Sequence, residues 1–298
     1  MRRGAISCLL LIAAPVTAMA QRVPGRDLLA FQIGTLGDAP VLSTTTGLGL
    51  ANPAATWIPD GHLGRVSIAA VQTPADIGVN LQAISGEVAL PQHVVASLSI
   101  VQGFVADIPR TDGDPQSLPG DIAYSTSMFS IGAARRQENV TAGVMIRYRV
   151  GTLDDQRRGA VGIDAGVIAD SLFGRPIRAA ASTFLWRPAN RSDEETAYSG
   201  AVDARVYSSP SNREARIGYA LTLVEQRTVE HYAFASGSAG PWDGTAGLLR
   251  QDSSGEGEWG MRIGIGLRHN RYHIGVARDS ARDGIGGFYQ FTLTSLIR

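Results

Sequence analysis

Five histidines are the side chains of this 298-residue sequence best suited to proton transfer or metal ligation, and only His269 and His273 lie close together. Four steps along one extended strand span about 13 Å, too far to share a metal whose nitrogen bonds are near 2 Å. That spacing predicts interface or lumen histidines and no metal site. Asp193-Glu194-Glu195 gathers three carboxylates without the turn-forming ligand spacing of a calcium loop, so a solvated loop is expected there. Gly264-Ile265-Gly266 and Gly284-Ile285-Gly286-Gly287 do not precede a helix, which removes dinucleotide and phosphate-loop readings. No Gly-x-Ser-x-Gly elbow is present. These residues predict a protein that is not an enzyme and carries no cofactor.

The chain opens with Met1-Arg2-Arg3, runs through apolar Cys8 to Val16 and reaches Ala18-Met19-Ala20 before Gln21. Charge, apolar core and small residues in that order predict a secretory signal over residues 1–20. Cys8 is the sole cysteine and lies inside it, so neither a disulfide framework nor a cysteine metal site is expected. Removing Arg2 and Arg3 from the 27 basic residues leaves 25 against 27 acidic ones, a net minus two. Every basic side chain is Arg, scattered without a patch, which predicts no nucleic-acid partner.

Any polar chemistry must therefore be positioned by the elements that follow, and from Gly64 onward the pattern has period two. In TAGVMIRYRV, Ala142, Val144, Ile146, Tyr148 and Val150 share one face, and Gly143, Met145, Arg147 and Arg149 share the other. WGMRIGIGLRH repeats this, with Met261, Ile263, Ile265 and Leu267 opposite Arg262, Gly264, Gly266 and Arg268. About thirteen such runs follow one another, with Thr245 to Gln251 a weak further candidate. Turn residues separate them, as in Ser209-Pro210-Ser211-Asn212.

Many of these runs are about 10–14 residues long, whereas globular strands cluster near 5–6 and a tilted strand crosses a bilayer in about 9–11. The sequence thus predicts an all-β, transmembrane, antiparallel up-and-down barrel. Even strand numbers favour fourteen, or twelve if two runs form one bent strand. A soluble exported β-protein is the alternative for a chain that stays in solution without detergent. The inward polar set is Arg147, Arg149, Asp164, Arg262 and Arg268, and burial of Asp164 requires an Arg partner. Leu50-Ala51-Asn52-Pro53-Ala54-Ala55, between signal and first strand, reads either as a compact plug in the lumen or as an ordinary turn.

That stretch, with Val161-Gly162-Ile163-Asp164-Ala165-Gly166-Val167 and the closing Gly284-Ile285-Gly286-Gly287-Phe288-Tyr289-Gln290-Phe291, resembles the FadL-like outer-membrane transporters and the PorV/PorQ-type barrels of type IX secretion. The resemblance implies a 14-stranded barrel with an N-terminal hatch to which Asn52 and Pro53 belong. It implies a location in the bacterial outer membrane among its lipids, and the binding or passage of hydrophobic small molecules. The alternative it offers is a barrel whose rim holds secretion-system proteins. On this reading residues 1–20 are the signal, 21–63 the hatch and 64–298 the barrel. The chain is shorter than typical fatty-acid transporters and ends in Leu296-Ile297-Arg298 without a terminal aromatic.

Overall fold

A computed structural model describes residues 23–31, 33–34, 38–74, 77–110, 118–185, 196–224, 227–253, 256–280 and 287–298. The expected signal, the Asp193-Glu194-Glu195 run and Gly284 to Gly286 lie outside the described residues. The strands are β1 (Gly64–Gln72), β2 (Val79–Leu90), β3 (Val94–Val105), β4 (Pro109–Arg110), β5 (Leu118–Asp121), β6 (Tyr124–Gln137), β7 (Val140–Leu153) and β8 (Gln156–Ala169). They continue as β9 (Ile177–Phe184), β10 (Ala197–Ser209), β11 (Arg213–Val224), β12 (Arg227–Ala239), β13 (Trp242–Ser253), β14 (Glu256–His269), β15 (Tyr272–Asp279) and β16 (Phe288–Ile297). All but β4 and β5 form one closed antiparallel barrel in chain order, shut by β1 against β16. Pairing β1 with β16 removes the two terminal edges that an open sheet would have.

The barrel has fourteen strands. The weak run at Thr245 is a full strand, β13, paired to both neighbours. Its signal is faint because Gly244 and Gly247 interrupt the apolar alternation. Two features were not expected from the sequence. The β4–β5 ribbon sits in the connection 106–123, and a 3-10 turn, Leu172–Gly174, in the connection 170–176.

Alternation sets what faces out. On β7, Val144, Ile146 and Tyr148 are 58, 54 and 49% exposed, while Met145, Arg147 and Arg149 between them are at 1% or below. The same outward apolar rows continue through Ile84, Leu98, Ile131, Ile263, Ile274 and Leu293. This greasy outer surface around a closed sheet is the arrangement of an outer-membrane-type β-barrel. Among the described residues no helix is long and apolar enough to cross a membrane.

One mouth carries the connections 91–93, 138–139, 170–176, 210–212, 240–241 and 270–271 together with the first residue of β1 and the last of β16. Positive-φ Glu138, Asn212 and Asn270 make these tight turns. The opposite mouth carries the two longest connections, 106–123 and 185–196, together with 73–78, 154–155, 225–226, 254–255 and 280–287. We refer to them as the short-turn end and the loop end. Register links the two: Ile177, Ala204, Ile217, Ala235, Ala246, Ile263, Arg278, Tyr289 and Gln72 pair in sequence, from the first residue of β9 at the short-turn end to the last of β1 at the loop end. A lateral row of the wall is thus a ramp, as strand tilt requires.

Candidate functional site

The described residues of the stretch 23–58 pack inside this barrel. Leu28, Phe31, Ile33, Val41, Leu42, Leu48, Asn52, Ala54 and Ala55 are all buried. A segment with so few regular hydrogen bonds of its own needs donors from the wall to satisfy its carbonyls. Inward arginines supply them. Arg65 gives NH1 to Thr44 O (2.9 Å) and NH2 to Ala55 O (3.2 Å), while its Nε–Glu87 Oε2 contact is 3.0 Å. Arg147 gives NH2 to Gly49 O (2.8 Å) and Leu50 O (3.2 Å). Arg149 reaches Pro24 O (2.7 Å) and Val23 O (3.0 Å).

Arg147 also donates to Asp164, and both side chains are fully shielded from solvent. The Asp164 carboxylate accepts the Leu185 backbone N–H at 2.6 Å as well. With its remaining guanidinium nitrogen donating to Ser130 Oγ (3.2 Å), Arg147 spends its donors on one carboxylate, one hydroxyl and two carbonyls. A buried charge so surrounded is tolerable, and removing any partner leaves it uncompensated.

Asn52 is fully buried and caps the 3-10 turn Pro53–Thr56, accepting Ala54 N–H at 2.9 Å. Its Nδ2 donates to Val41 O (2.9 Å) and, on β8, to Val167 O (3.3 Å). Beneath it lie Gly143 and Gly166, which pair across β7 and β8. A Cβ on Gly166 would stand 2.0 Å from Asn52 Oδ1, and one on Gly143 would stand 2.5 Å from the Pro53 carbonyl carbon. Two absent side chains therefore form the seat of Asn52 and Pro53. Ser182 Oγ closes the seat by donating to Ala51 O at 2.5 Å.

The other polar positions of the sequence reading lie apart from this seat. Arg262 is buried against Asp279 (2.9 Å) and Glu230 (3.7 Å), with its guanidinium 4.7 Å from the Tyr232 ring centre. Arg268 has inward parity but stands at the short-turn rim, its side chain 62% exposed, where it pairs with Asp243 at 3.1 Å. His269 and His273 are on two strands joined by the turn 270–271, so the 13 Å of a continuous strand does not apply. His273 faces inward onto Asp243 at 2.9 Å, and exposed His269 meets Asn270. Among the described residues no group of three His, Cys, Asp or Glu side chains could hold a metal.

Sequence reasoning missed Arg65, Glu87, Gly143, Gly166 and Ser182. The two glycines had a signal, since each occupies an inward position on a strand that also turns charged residues inward.

The interior is not uniformly polar. Toward the loop end Ala69, Val71, Leu81, Ala83, Val101, Met128, Leu185 and Phe288 form one buried cluster with Leu28, Phe31, Ile33 and Leu48 of the N-terminal segment. The rings of Phe31 and Phe288 meet edge-on at 5.1 Å. The wall beside this cluster has a short seam. β8 pairs with β7 along its whole length but with β9 only through Gly166–Ala169. At the next residue the Ala165 N–H is taken by Thr183 Oγ1 (3.1 Å), and Leu185, at φ 55, turns inward over Gly162. Among the described residues the edge 156–165 of β8 has no strand partner on that side. Outside the wall, Tyr198, Gly200, Val202, Tyr219, Leu221 and Leu223 line an apolar groove of about 420 Å³, and Tyr198 pairs with Thr183.

No family model matches the chain, and no curated protein matches it. Similar solved structures include a mutant of Rh. blastica porin, at 10% identity and TM-score 0.41, covering 79% of this chain and 99% of that one. A bacterial polysaccharide outer membrane secretin is similar at 11% identity and TM-score 0.47, covering 80% of this chain and 100% of that one. CdiB from Acinetobacter baumannii is similar at 9% identity and TM-score 0.45 over 78% of this chain, which spans 59% of CdiB.

Proposed function

We propose that this protein binds or passes hydrophobic small molecules in the bacterial outer membrane, without catalysis, after export on a signal cleaved at residue 20. Residues 21–63 are the hatch, Asn52 and Pro53 its seated tip, and the short-turn end faces the periplasm, as short turns do in such barrels. One observation carries the reading: where a water-filled channel would place polar side chains, the loop half of this interior presents Val71, Leu81, Val101, Met128 and Phe288. Apolar side chains under long connections suit a greasy cargo once the N-terminal residues packed on them move aside. The β8–β9 seam and the apolar groove beyond it supply a sideways route whose walls match the same cargo.

The test compares uptake of a hydrophobic fluorophore by cells carrying the wild-type protein, no protein, or Leu81→Asp. Barrel assembly is checked by the migration of unboiled samples on a detergent gel. Uptake in Leu81→Asp cells is expected to fall to the level without the protein while the barrel still assembles. Undiminished uptake contradicts the proposal. A second reading, a barrel whose rim holds secretion-system proteins, draws on Phe173, which is 94% exposed in the 170–176 connection. It requires co-purification of such subunits that Phe173→Ser abolishes.

A further inference from the structure

On the outer face of the wall one lateral row changes character as it climbs. Ala181 on β9 pairs with Gly200, Gly200 with Leu221, Leu221 with His231, His231 with Arg250 and Arg250 with Trp259 on β14. Alternation turns these residues outward, on the same side as the exposed Val202, Tyr219 and Leu248. With strands about 4.8 Å apart and tilted about 40°, each step rises about 3 Å, so the row climbs about 15 Å of a hydrocarbon layer of about 30 Å. It starts in small apolar residues and ends in a basic and aromatic group close to the loop-end limits of β13 and β14.

The lower part of the row is the floor of the apolar groove. Gly200 lies between Tyr198 and Val202, and with Tyr219, Leu221 and Leu223 these residues line about 420 Å³. That volume falls in the range of small-ligand sites, about 300–1,000 Å³.

The upper part is polar on a surface that otherwise meets lipid. Tyr219, which lines the groove, is hydrogen-bonded through its hydroxyl to His231 Nδ1. With the hydroxyl donating, the proton of the neutral ring sits on Nε2, its remaining donor. The Arg250 guanidinium stands 5.9 Å from the Trp259 ring centre, and its Nε meets Asp252 at 3.5 Å in a loose, exposed pair. A Cβ on Gly257 would stand 2.8 Å from that Nε, so the glycine leaves the guanidinium its place beside the ring. Directly paired residues stand about 5 Å apart at Cβ, which puts the His231 and Arg250 side chains within reach of one anion. Basic side chains on a lipid-facing wall are costly except near the headgroups, and Trp259 is the kind of residue that marks that level. The outward arginines of the short-turn end have no such neighbours. Arg135 is flanked by Val94 and Ala142, and Arg213 by Ser209 and Ala239.

We infer that this row binds one anionic, phosphate-bearing lipid of the loop-end leaflet, with its phosphate between His231 and Arg250 and one acyl chain lying down the groove over Gly200. The order along the row is that of the lipid itself: charge near the strand ends, and an apolar seat three steps, about 9 Å, deeper. The guanidinium supplies a planar fork of donors that matches phosphate oxygens. The inference rests on the outer-membrane reading for its lipid but on no hydrophobic cargo, and lipid retention is measured without transport.

Native mass spectrometry of the detergent-folded barrel tests it, with closure checked by the migration of unboiled samples. The protein is mixed with dioleoylphosphatidylglycerol, with dioleoylglycerol, or with the first lipid and an excess of inorganic phosphate, and the lipid retained per barrel is counted. Arg250→Gln is expected to weaken phosphatidylglycerol binding about ten-fold or more, as loss of a charged hydrogen bond does, and to leave dioleoylglycerol unchanged. Gly200→Leu fills the groove and is expected to weaken both lipids; Leu221→Trp takes its place if that variant does not assemble. Equal retention of phosphatidylglycerol by wild type and Arg250→Gln overturns the headgroup site. Unchanged retention in the groove variant overturns the acyl seat. Displacement of the lipid by inorganic phosphate reduces the row to a free-phosphate site and overturns the lipid.

Discussion

The two edges of β8 make the sharpest contrast in the molecule. Toward β7 the strand is paired at every residue, and that hairpin carries the Gly143–Gly166 seat, Arg147, Arg149 and Asp164. Toward β9 it is paired over four residues, and a threonine hydroxyl takes over the next backbone donor. One strand is thus both the firmest support of the N-terminal segment and the margin of the weakest seam in the wall. The difference teaches that Asp164 joins the two edges, since its carboxylate holds Arg147 on one side and the Leu185 N–H on the other.

The largest effect is expected from breaking that junction. Asp164→Ala leaves Arg147 buried without its counterion and is expected to destabilise the barrel by about 3–5 kcal/mol, read from urea unfolding of detergent-folded protein. Replacing both partners with apolar residues is expected to cost less than the single change, because no buried charge remains. An Asp164→Ala variant as stable as wild type would remove the junction from the account.

The firm edge is sharpened next by filling its seat. Gly166→Val drives methyl groups into Asn52 and is expected to cost about 1–3 kcal/mol. Asn52→Ala leaves the Val41 and Val167 carbonyls and the Ala54 N–H short of a partner, again about 1–3 kcal/mol. Because both changes act on one contact, the double variant is expected to lose less than the sum. Strict additivity in the same unfolding assay would mean that tip and seat are independent.

Closing the weak edge is a smaller perturbation of stability with a larger reading in function. A disulfide between Ala165→Cys and Thr183→Cys is expected to leave the barrel folded and to reduce uptake of the hydrophobic fluorophore, with recovery on reduction. Unchanged uptake in the oxidised protein would rule out the seam as the route.

The smallest effect is on pH. Asp38, in the N-terminal segment, accepts from Thr245 Oγ1 at 2.6 Å. Burial holds its carboxyl above the ordinary aspartate value, Asp243 and Asp203 add to that rise, and Thr245 and Arg178 oppose it. A raised value means that the packed segment prefers the protonated acid. Its contribution is therefore complete below the ordinary carboxylate range and is lost as pH climbs through the raised value. Melting temperature is expected to fall as pH rises above the ordinary carboxylate range, and Asp38→Asn is expected to flatten that slope. A slope unchanged in Asp38→Asn would assign it elsewhere.

Much of this fold was legible in the sequence because a period of two needs no partner to be seen. TAGVMIRYRV placed Arg147 and Arg149 on the face away from Val144 and Ile146 before any neighbour was known. The burial cost of Asp164 called for an arginine in the same way. Which arginine it meets depends on strand register, and register arises from contacts between residues far apart in the chain. That is why Gly200, His231, Arg250 and Trp259 read as unconnected residues until their strands were laid side by side. Arg65 and Glu87 escaped notice for a related reason, since the carbonyls that Arg65 holds belong to a segment with no periodic pattern, and Glu87 matters only as the acceptor beside Arg65. The β8–β9 seam had no sequence signal at all, because Thr183 and Ala165 both sit in ordinary alternating runs.

The central claim is that the apolar rows face hydrocarbon while the N-terminal segment lies within the wall. Tryptophan quenching by brominated lipid tests both halves in one measurement. Trp242 is 51% exposed on the outward face of β13, and Trp57 is half-buried in the N-terminal segment. With each in turn as the sole tryptophan of the reconstituted barrel, emission from Trp242 is expected to be strongly quenched and emission from Trp57 to be unaffected. Equal quenching of the two, or quenching of Trp57 alone, would contradict the account.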